Sequence, residues 1–153
     1  MSDVVAALQA IQRAFHSVAA LPQHVRVDHS DGNVTMFNFE KLDTWNEAIA
    51  FADIVYRLTR GFPPEERFGL TNQMRRAAVS ISSNLAEGCS RSSKADYARF
   101  VEIATGSVFE VVSQATIGRN QGFLNSTDYE LLYGAAEKQS RMLSGLKKSL
   151  ETR

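Results

Sequence analysis

The segment RRAAVSISSNLAEGCSR, from Arg75 to Arg91, has the apolar spacing of a helix but few large apolar side chains. At about 100° per residue, its apolar residues fall on one side, in line with Leu70 and Met74 just before it. A second side, roughly 120° away by the same arithmetic, carries the polar residues Arg76, Ser80, Ser83, Asn84 and Glu87. Polar side chains that become covered need hydrogen-bonding partners. The segment therefore predicts a helix with one apolar and one polar contact face.

The flanking sequence predicts four helices of similar length, over residues 43–60, 64–88, 93–118 and 126–150, and a further helix over residues 4–20. In each, apolar residues recur at intervals of three and four, and no segment shows a convincing strand pattern. Short turns join the four helices, which favours antiparallel neighbours. The predicted fold is all-α, an up-down-up-down antiparallel four-helix bundle with an extra N-terminal helical arm.

Local signals predict where these helices begin and end. Asp43, Ser92 or Ser93, and Ser126 or Thr127 are the expected N-caps. Gly88 is the expected terminator of the second bundle helix. Gly106-Ser107 lies inside a helical pattern, and we interpret it as a close contact between helices.

Antiparallel packing also predicts partners for the polar face. If the turn after residue 88 centres near residues 91–92, Arg76 lies near Ser107 and Glu110, and Glu87 lies near Arg99. We therefore expect Arg76–Glu110 and Glu87–Arg99 ion pairs. The residues concerned form the predicted polar stripe, namely Arg76, Ser80, Ser83, Asn84, Glu87, Ser107 and Glu110.

Composition limits the possible classes of function. The chain has 17 basic and 17 acidic residues, so no net charge draws it to nucleic acid or to an anionic membrane. The single Cys89 excludes an intrachain disulfide framework, and we interpret it as a small packing residue. No apolar run is long enough to span a membrane, and the N-terminal segment lacks the plan of a secretory signal. We expect a cytoplasmic protein without membrane association.

The sequence lacks the residues of the usual catalytic and metal sites in helical bundles. All three histidines, His16, His24 and His29, precede Met36, so the bundle has no Glu-x-x-His pair for a di-metal site. A Ser-His-Asp triad would have to take its base from the N-terminal arm. We expect neither a cofactor nor a metal, and no enzymatic activity.

The polar residues have a recognisable order. The residues that form this ordered pattern are Gln73, Arg75–Ala77, Ser80–Ile81 and Asn84–Gly88, then Phe100, Ile103–Ala104, Gly106–Ser107 and Glu110, with Phe39, Leu42–Asp43 and Trp45 upstream. With this pattern the chain, from about residue 37 to 150, resembles the four-helix-bundle family encoded by intervening sequences in bacterial 23S rRNA genes. The family is itself similar to the accessory variability determinant of diversity-generating retroelements, a basic pentameric bundle that binds nucleic acid.

The resemblance implies a closed homo-oligomer, a ring of five bundles, without implying a settled activity. It also implies a domain start near Met36, so residues 1–35 are expected to be an added arm or an upstream start-site extension, and residues 36–153 the bundle. Val101 and Thr105 depart from the pattern, where leucine and a basic residue are expected. Thr105 thus weakens the analogy to a basic binding surface.

Two functions of different classes remain open. The first is a non-enzymatic scaffold or adaptor that binds a partner protein, RNA or DNA, with Arg75, Arg91, Lys94, Lys147 and Lys148 as candidate nucleic-acid contacts. Of the neighbouring arginines, Arg76 is the one expected to be structural. The second is an enzyme or small-molecule binder using a polar pocket between the helices over 64–88 and 93–118. Trp45, Tyr129 and Tyr133 could stack on bases, but their helical spacing favours packing.

Overall fold

The computed structural model describes residues 37–152, and the predicted arm, its linker and the three histidines lie outside this range. Four helices make up the described chain: α1 (Asp43–Leu58), α2 (Leu70–Cys89), α3 (Lys94–Asn120) and α4 (Ser126–Glu151). Short 3-10 turns precede α1 and connect it to α2. Among the described residues there is no strand, so the predicted all-α bundle is confirmed for this part of the chain.

Each helix packs against the next, and α1 also packs against α4, which closes the bundle. In this square arrangement α1 and α3 lie on one diagonal, and their outward faces point in opposite directions. Large apolar side chains from all four helices fill the centre, including Phe51, Met74, Ile81, Leu85, Val108, Leu132 and Leu143. No helix between residues 37 and 152 is long and apolar enough to cross a bilayer.

Three helices begin within one residue of the predicted start, but α2 begins at Leu70 rather than at residue 64, because Pro64–Arg67 form a separate 3-10 turn. Ser93 caps α3, and its Oγ accepts a hydrogen bond from the Asp96 amide at 3.0 Å, as expected. The cap of α4 is Asn125, one residue before the predicted Ser126 or Thr127, because its side chain reaches the Asp128 amide at 2.8 Å. Asp43 is the first residue of α1 and does not cap it; there its charge still complements the helix dipole.

The connection between α1 and α2 is held at several points. Phe62 is buried and its ring packs against Phe123, with centroids 5.6 Å apart. Pro64 starts a 3-10 turn, and the carboxylate of Glu66 accepts a hydrogen bond from the Leu70 amide at 2.8 Å. Between these anchors the side chain of Phe68 is 84% exposed.

Two glycines have roles that differ from the predicted ones. Gly88 does not terminate α2, which continues to Cys89; its missing side chain instead lets α3 approach, since a Cβ there would clash with Tyr97 and lie 2.9 Å from Phe100 Cβ. Gly106 is predicted to make a close contact, yet a Cβ at this position would meet no neighbouring group within 4 Å among the described residues. Packing within residues 37–152 therefore does not explain Gly106.

One polar side chain is fully enclosed in the core. Gln139 has no exposed surface, and its Nε2 donates a hydrogen bond to the Thr44 carbonyl at 3.2 Å. Within residues 37–152 its Oε1 has no hydrogen-bonding partner. This bond ties α4 to the start of α1.

Candidate functional site

The polar stripe lies along the junction of α2 and α3, and its middle is hydrogen bonded. The Ser107 hydroxyl donates to Ser80 Oγ at 3.0 Å. The Asn84 amide donates both to Ser80 Oγ at 3.0 Å and to the Ser80 carbonyl at 2.7 Å. Ser107 is buried, while Ser80 and Asn84 are half-buried. Helix α3 therefore covers part of the stripe, as the sequence predicted.

The contact register differs from the predicted one by about one helical turn. Ser107 faces Ser80, whereas the sequence placed Ser107 beside Arg76. In a helix each Cα–Cβ bond leans toward the N-terminus, so a side chain lies beside backbone that precedes its own Cα. Facing side chains of two antiparallel helices therefore have higher residue numbers than the residues whose Cα atoms lie side by side. A count of backbone levels alone missed this lean.

The predicted Arg76–Glu110 ion pair is wrong, because no ion pair joins these residues in the described chain. Both are exposed and both line an open groove of about 670 Å³ between α2 and α3. The same groove includes Gly106 and Gln114, and Gln114 Oε1 is buried without a partner among residues 37–152. No sequence signal distinguished Gln114 from a solvated glutamine.

The predicted Glu87–Arg99 ion pair is also wrong. Glu87 pairs instead with Arg91, whose guanidinium lies over the Phe100 ring at 4.6 Å from its centroid. The i,i+4 spacing of Glu87 and Arg91 was the available sequence signal. Since both side chains are largely exposed, the pair adds little stability.

The open groove brings together only part of the predicted pocket. Arg76 and Glu110 face it, but Asn84 bonds to Ser80, and Glu87 lies in the last turn of α2 and pairs with Arg91. No group of three metal-ligating side chains occurs in residues 37–152. The arrangement offers a cationic and an anionic side chain on an open polar surface rather than an enclosed reaction site.

Of the two neighbouring arginines, Arg75 and not Arg76 makes side-chain contacts within the described residues. Arg75, a candidate nucleic-acid contact, stacks over the Tyr56 ring at 4.8 Å and its Nε donates to Thr59 Oγ1 at 2.9 Å. Arg75 therefore links α2 to the end of α1. Arg76, expected to be structural, makes no hydrogen bond or ion pair among the described residues.

The other basic candidates gather at one end of the bundle. Antiparallel topology places Arg91 and Lys94 near Lys147 and Lys148. Lys147 is held by Glu102 at 2.7 Å and Glu151 at 3.5 Å. The hydrogen bond between Lys147 and Glu102 raises the pKa of Lys147 and lowers the pKa of Glu102. Acidic residues therefore offset the charge of Lys147 in this cluster. Within residues 37–152, Lys94 and Lys148 are exposed and have no ion pair.

The lone thiol lies where α3 crosses the end of α2. Cys89 is half-buried, and burial raises the pKa of its thiol. Burial likewise raises the pKa of neighbouring Tyr97. A thiol that keeps its proton is a poor nucleophile, which fits a packing role.

The outward side of α3 is unexpectedly apolar. Ile103 is 53% exposed, Phe109 61% and Ile117 49%, and we call these residues the outer face of α3. The opposite side of the same helix lies in the core. A helix that is apolar on both sides is typical of one covered on both sides.

The described residues also form an apolar surface beside α3 and another on the opposite side of the bundle. A groove of about 510 Å³ between α3 and α4 is formed by Val108, Phe109, Val112, Tyr133 and Ala136, with Glu137 and Arg141 among the polar residues that also line it. On the far side, Ile49 and Tyr56 of α1 and Val79 of α2 are about two-fifths exposed, and we call them the α1–α2 face. Helical spacing alone groups Ile49 and Tyr56 with the buried Ala48 and Val55, so it does not reveal their exposure.

Comparison with known proteins agrees with this architecture. A family model described as "23S rRNA-intervening sequence protein" matches residues 40–145. The chain belongs to that family. A crystal structure of a protein of unknown function from the S23 ribosomal protein family of Bacteroides thetaiotaomicron superposes with a TM-score of 0.64 at 19% identity, covering 69% of this chain and 98% of that one. No curated protein sequence matches the chain significantly.

The family assignment confirms the resemblance inferred from the sequence. Several residues that carried it now have structural roles in this 23S rRNA-intervening sequence protein. Gly88 permits the close crossing of α2 and α3, and Ser80, Asn84 and Ser107 bond that junction. Trp45 packs beside Phe39 with ring centroids 5.1 Å apart. Tyr129 is buried as predicted, whereas Tyr133 is 40% exposed.

Proposed function

We propose that this protein is a non-enzymatic subunit of a homo-oligomeric ring, five copies in size, that serves as a scaffold. The observation that carries the proposal is the outer face of α3, where Ile103 and Phe109 flank the open position of Gly106 and Ile117 lies three turns further along the helix. Several large apolar side chains exposed on one side of a helix are typical of an interaction site in a soluble protein. A second copy of the chain is the proposed cover.

Gly106 supports close approach of a neighbouring subunit. A glycine inside a helix is about 1 kcal/mol less favourable than alanine. Within the described chain, space around Gly106 is open, so an alanine could be accommodated. Contact with another copy supplies a reason for the missing side chain.

The positions of the apolar surfaces favour a ring over a two-fold dimer. The outer face of α3 and the α1–α2 face lie on different sides of the bundle, with α1 and α3 on a diagonal. Contact between two different surfaces is heterologous, and a heterologous contact closes into a ring when its rotation allows. A two-fold dimer would use one surface twice.

The polar stripe would form the wet part of this interface. Among the described residues, the side chains of Arg76, Ser83 and Glu110 make no hydrogen bond or ion pair. Arg76 and Glu110 line a groove with Ile103 of the outer face of α3, and Ser83 lines one with Val79 of the α1–α2 face. Protein interfaces combine a buried apolar centre with a polar rim of direct and water-mediated bonds. In the ring, these three side chains pair across subunits.

Light-scattering mass on a sizing column tests the assembly. Five copies of the 17.0-kDa chain give about 85 kDa. Gly106→Arg should yield a folded monomer, since the arginine has space within the chain but blocks a neighbour. Gly145→Arg is the matched control: Gly145 is equally open and belongs neither to the outer face of α3 nor to the groove between α3 and α4. A monomeric wild type, or an intact assembly of Gly106→Arg, would refute the proposal.

Nucleic acid is the ligand proposed for the assembled ring. A ring repeats Lys94 and Lys148 around its axis, and repeated weak contacts combine into appreciable affinity. Phosphate contacts should weaken as salt rises. Binding of labelled RNA and DNA, measured for wild type and a Lys94→Ala/Lys148→Ala variant at two salt concentrations, tests this. Equal binding by both proteins would exclude these lysines as the contact.

A further inference from the structure

We propose that Phe68 of one copy inserts into the apolar groove between α3 and α4 of the next copy, which sets the head-to-tail contact of the assembly. This inference rests on the proposed homo-oligomer and specifies its contact. The groove is the one bounded by Phe109 and Tyr133. Its occupant is the aromatic side chain displayed by the connection between α1 and α2.

The exposure of Phe68 is the first observation. At 84%, its side chain is far more exposed than that of any other large apolar residue between 37 and 152, of which the next is Phe109 at 61%. An isolated exposed apolar residue is ordinary. Phe68, however, stands on a connection whose other aromatic residue, Phe62, is buried.

The backbone around Phe68 is fixed on both sides. The Glu66 amide donates to the Pro63 carbonyl at 2.9 Å, and the Gly69 amide donates to the Glu66 carbonyl at 3.0 Å. The Glu66 carboxylate then holds the Leu70 amide at 2.8 Å. Two successive prolines restrict the preceding backbone. A side chain presented on a constrained turn loses little conformational entropy when it binds.

The groove has the size and lining for an aromatic ring. Its volume of about 510 Å³ exceeds what a phenyl ring needs, and its walls include the Phe109 and Tyr133 rings. Aromatic pairs in offset or edge-to-face geometry gain about 0.5–1.5 kcal/mol beyond area burial. Val108, Val112 and Ala136 supply further apolar contact surface.

One carboxylate in the groove can receive the cation that accompanies Phe68. The Arg67 guanidinium lies 5.4 Å from the centre of the Phe68 ring, so it accompanies the phenyl group. Glu137 also lines the groove and has only an exposed pair with Arg141 at 3.9 Å. Insertion of Phe68 brings the cation beside that carboxylate. The turn belongs to the α1–α2 side and the groove to the α3–α4 side, so the contact is heterologous.

The first test is truncation of Phe68 in the full chain. Phe68→Ala should raise the concentration at which the assembly dissociates by about tenfold or more, as for a central aromatic contact. Leu131→Ala is the control, because Leu131 is 45% exposed and lies on the other side of α4 from the groove. It should leave dissociation unchanged. Far-UV circular dichroism verifies that both variants are folded.

The second test detects the contact directly. Two chains, both carrying Cys89→Ser, are co-expressed: one has Phe68→Cys, and the other has Tyr133→Cys and a longer tag. Mild oxidation should give a disulfide adduct of one chain of each kind on a non-reducing gel. Replacing Tyr133→Cys by Leu131→Cys should give none.

The outcomes separate this contact from the assembly itself. An intact Phe68→Ala assembly, or an assembled mixture without the Phe68–Tyr133 adduct, overturns the insertion of Phe68 but leaves the assembly proposal standing if Gly106→Arg is monomeric. A monomeric wild type overturns both. Weaker assembly by Phe68→Ala together with the adduct supports both.

Discussion

Replacing the enclosed Gln139 by methionine should stabilise the protein. Gln139 is completely buried, and only its Nε2 has a partner, the Thr44 carbonyl at 3.2 Å. Methionine is unbranched, of similar length and adaptable in shape. The substitution removes the buried oxygen that lacks a partner in residues 37–152.

The expected size follows from opposing contributions. An unsatisfied buried acceptor destabilises the folded state by about 1–3 kcal/mol, and an ordinary hydrogen bond contributes about 1 kcal/mol net. Thr44 lies in the first turn of α1, so its carbonyl keeps a helical partner. The balance is a gain of about 1 kcal/mol, the middle of a range of about 0–2 kcal/mol. Gln139→Ala should instead destabilise, because it removes the hydrogen bond and leaves a cavity.

Urea unfolding at one fixed protein concentration measures this difference. A gain of 1 kcal/mol corresponds to a rise in Tm of about 4 °C for a domain of this size. Gln121→Met is the control, since Gln121 is exposed and surface changes are usually within about 0.5 kcal/mol. An unchanged or lower stability of Gln139→Met would show that Oε1 is satisfied in solution and that the reasoning is wrong.

Three further variants test separate features of the bundle. Gly88→Val should lower the free energy of unfolding by about 1–3 kcal/mol through overpacking against Tyr97. A free energy of unfolding in urea equal to that of wild type would contradict the close crossing of α2 and α3. Glu66→Ala should cost about 1 kcal/mol by removing the cap of α2, whereas Glu65→Ala should not, and equal losses would argue against the cap. Because burial raises the pKa of Cys89, the folded state holds the thiol proton more tightly. This tighter proton binding stabilises the folded state fully below the ordinary thiol pKa, and the stabilisation is lost as the pH rises through the higher thiol pKa of the folded protein. Cys89→Ser has no thiol to ionise, so its free energy of unfolding should fall less than that of wild type over this alkaline range.

The fold was predictable because several local signals agreed. Apolar spacing and Ser93 at the start of α3 indicated the four helices, and only the start of α2, predicted at residue 64 and observed at Leu70, was far from its predicted place. Side-chain pairing was less predictable. Because Cα–Cβ bonds lean toward the N-terminus, Ser107 contacts Ser80 rather than Arg76. Glu87 pairs with Arg91, four residues along the chain, rather than with Arg99. Such outcomes depend on distances that a helical wheel does not contain.

The candidate interaction surfaces were harder to foresee. Helical spacing alone does not say whether an apolar residue such as Phe109 faces the core or the outside when both sides of α3 are apolar. The role of Gly106 depends on an empty space, which only the packed structure reveals. Phe62 and Phe68 lie in the same connection, each beside a glycine, yet Phe68 is exposed and Phe62 is buried.

The bond between Gln139 and Thr44 has a consequence for how the chain folds. It spans 95 residues, whereas the other helix pairs are neighbours along the chain. Closing a long loop carries an entropic penalty that short helical hairpins avoid. We expect α2, α3 and α4 to associate first and α1 to dock last, into the space beside α4. During that interval α1 of another copy can occupy the same space, so concentrated refolding should favour helix-exchanged dimers.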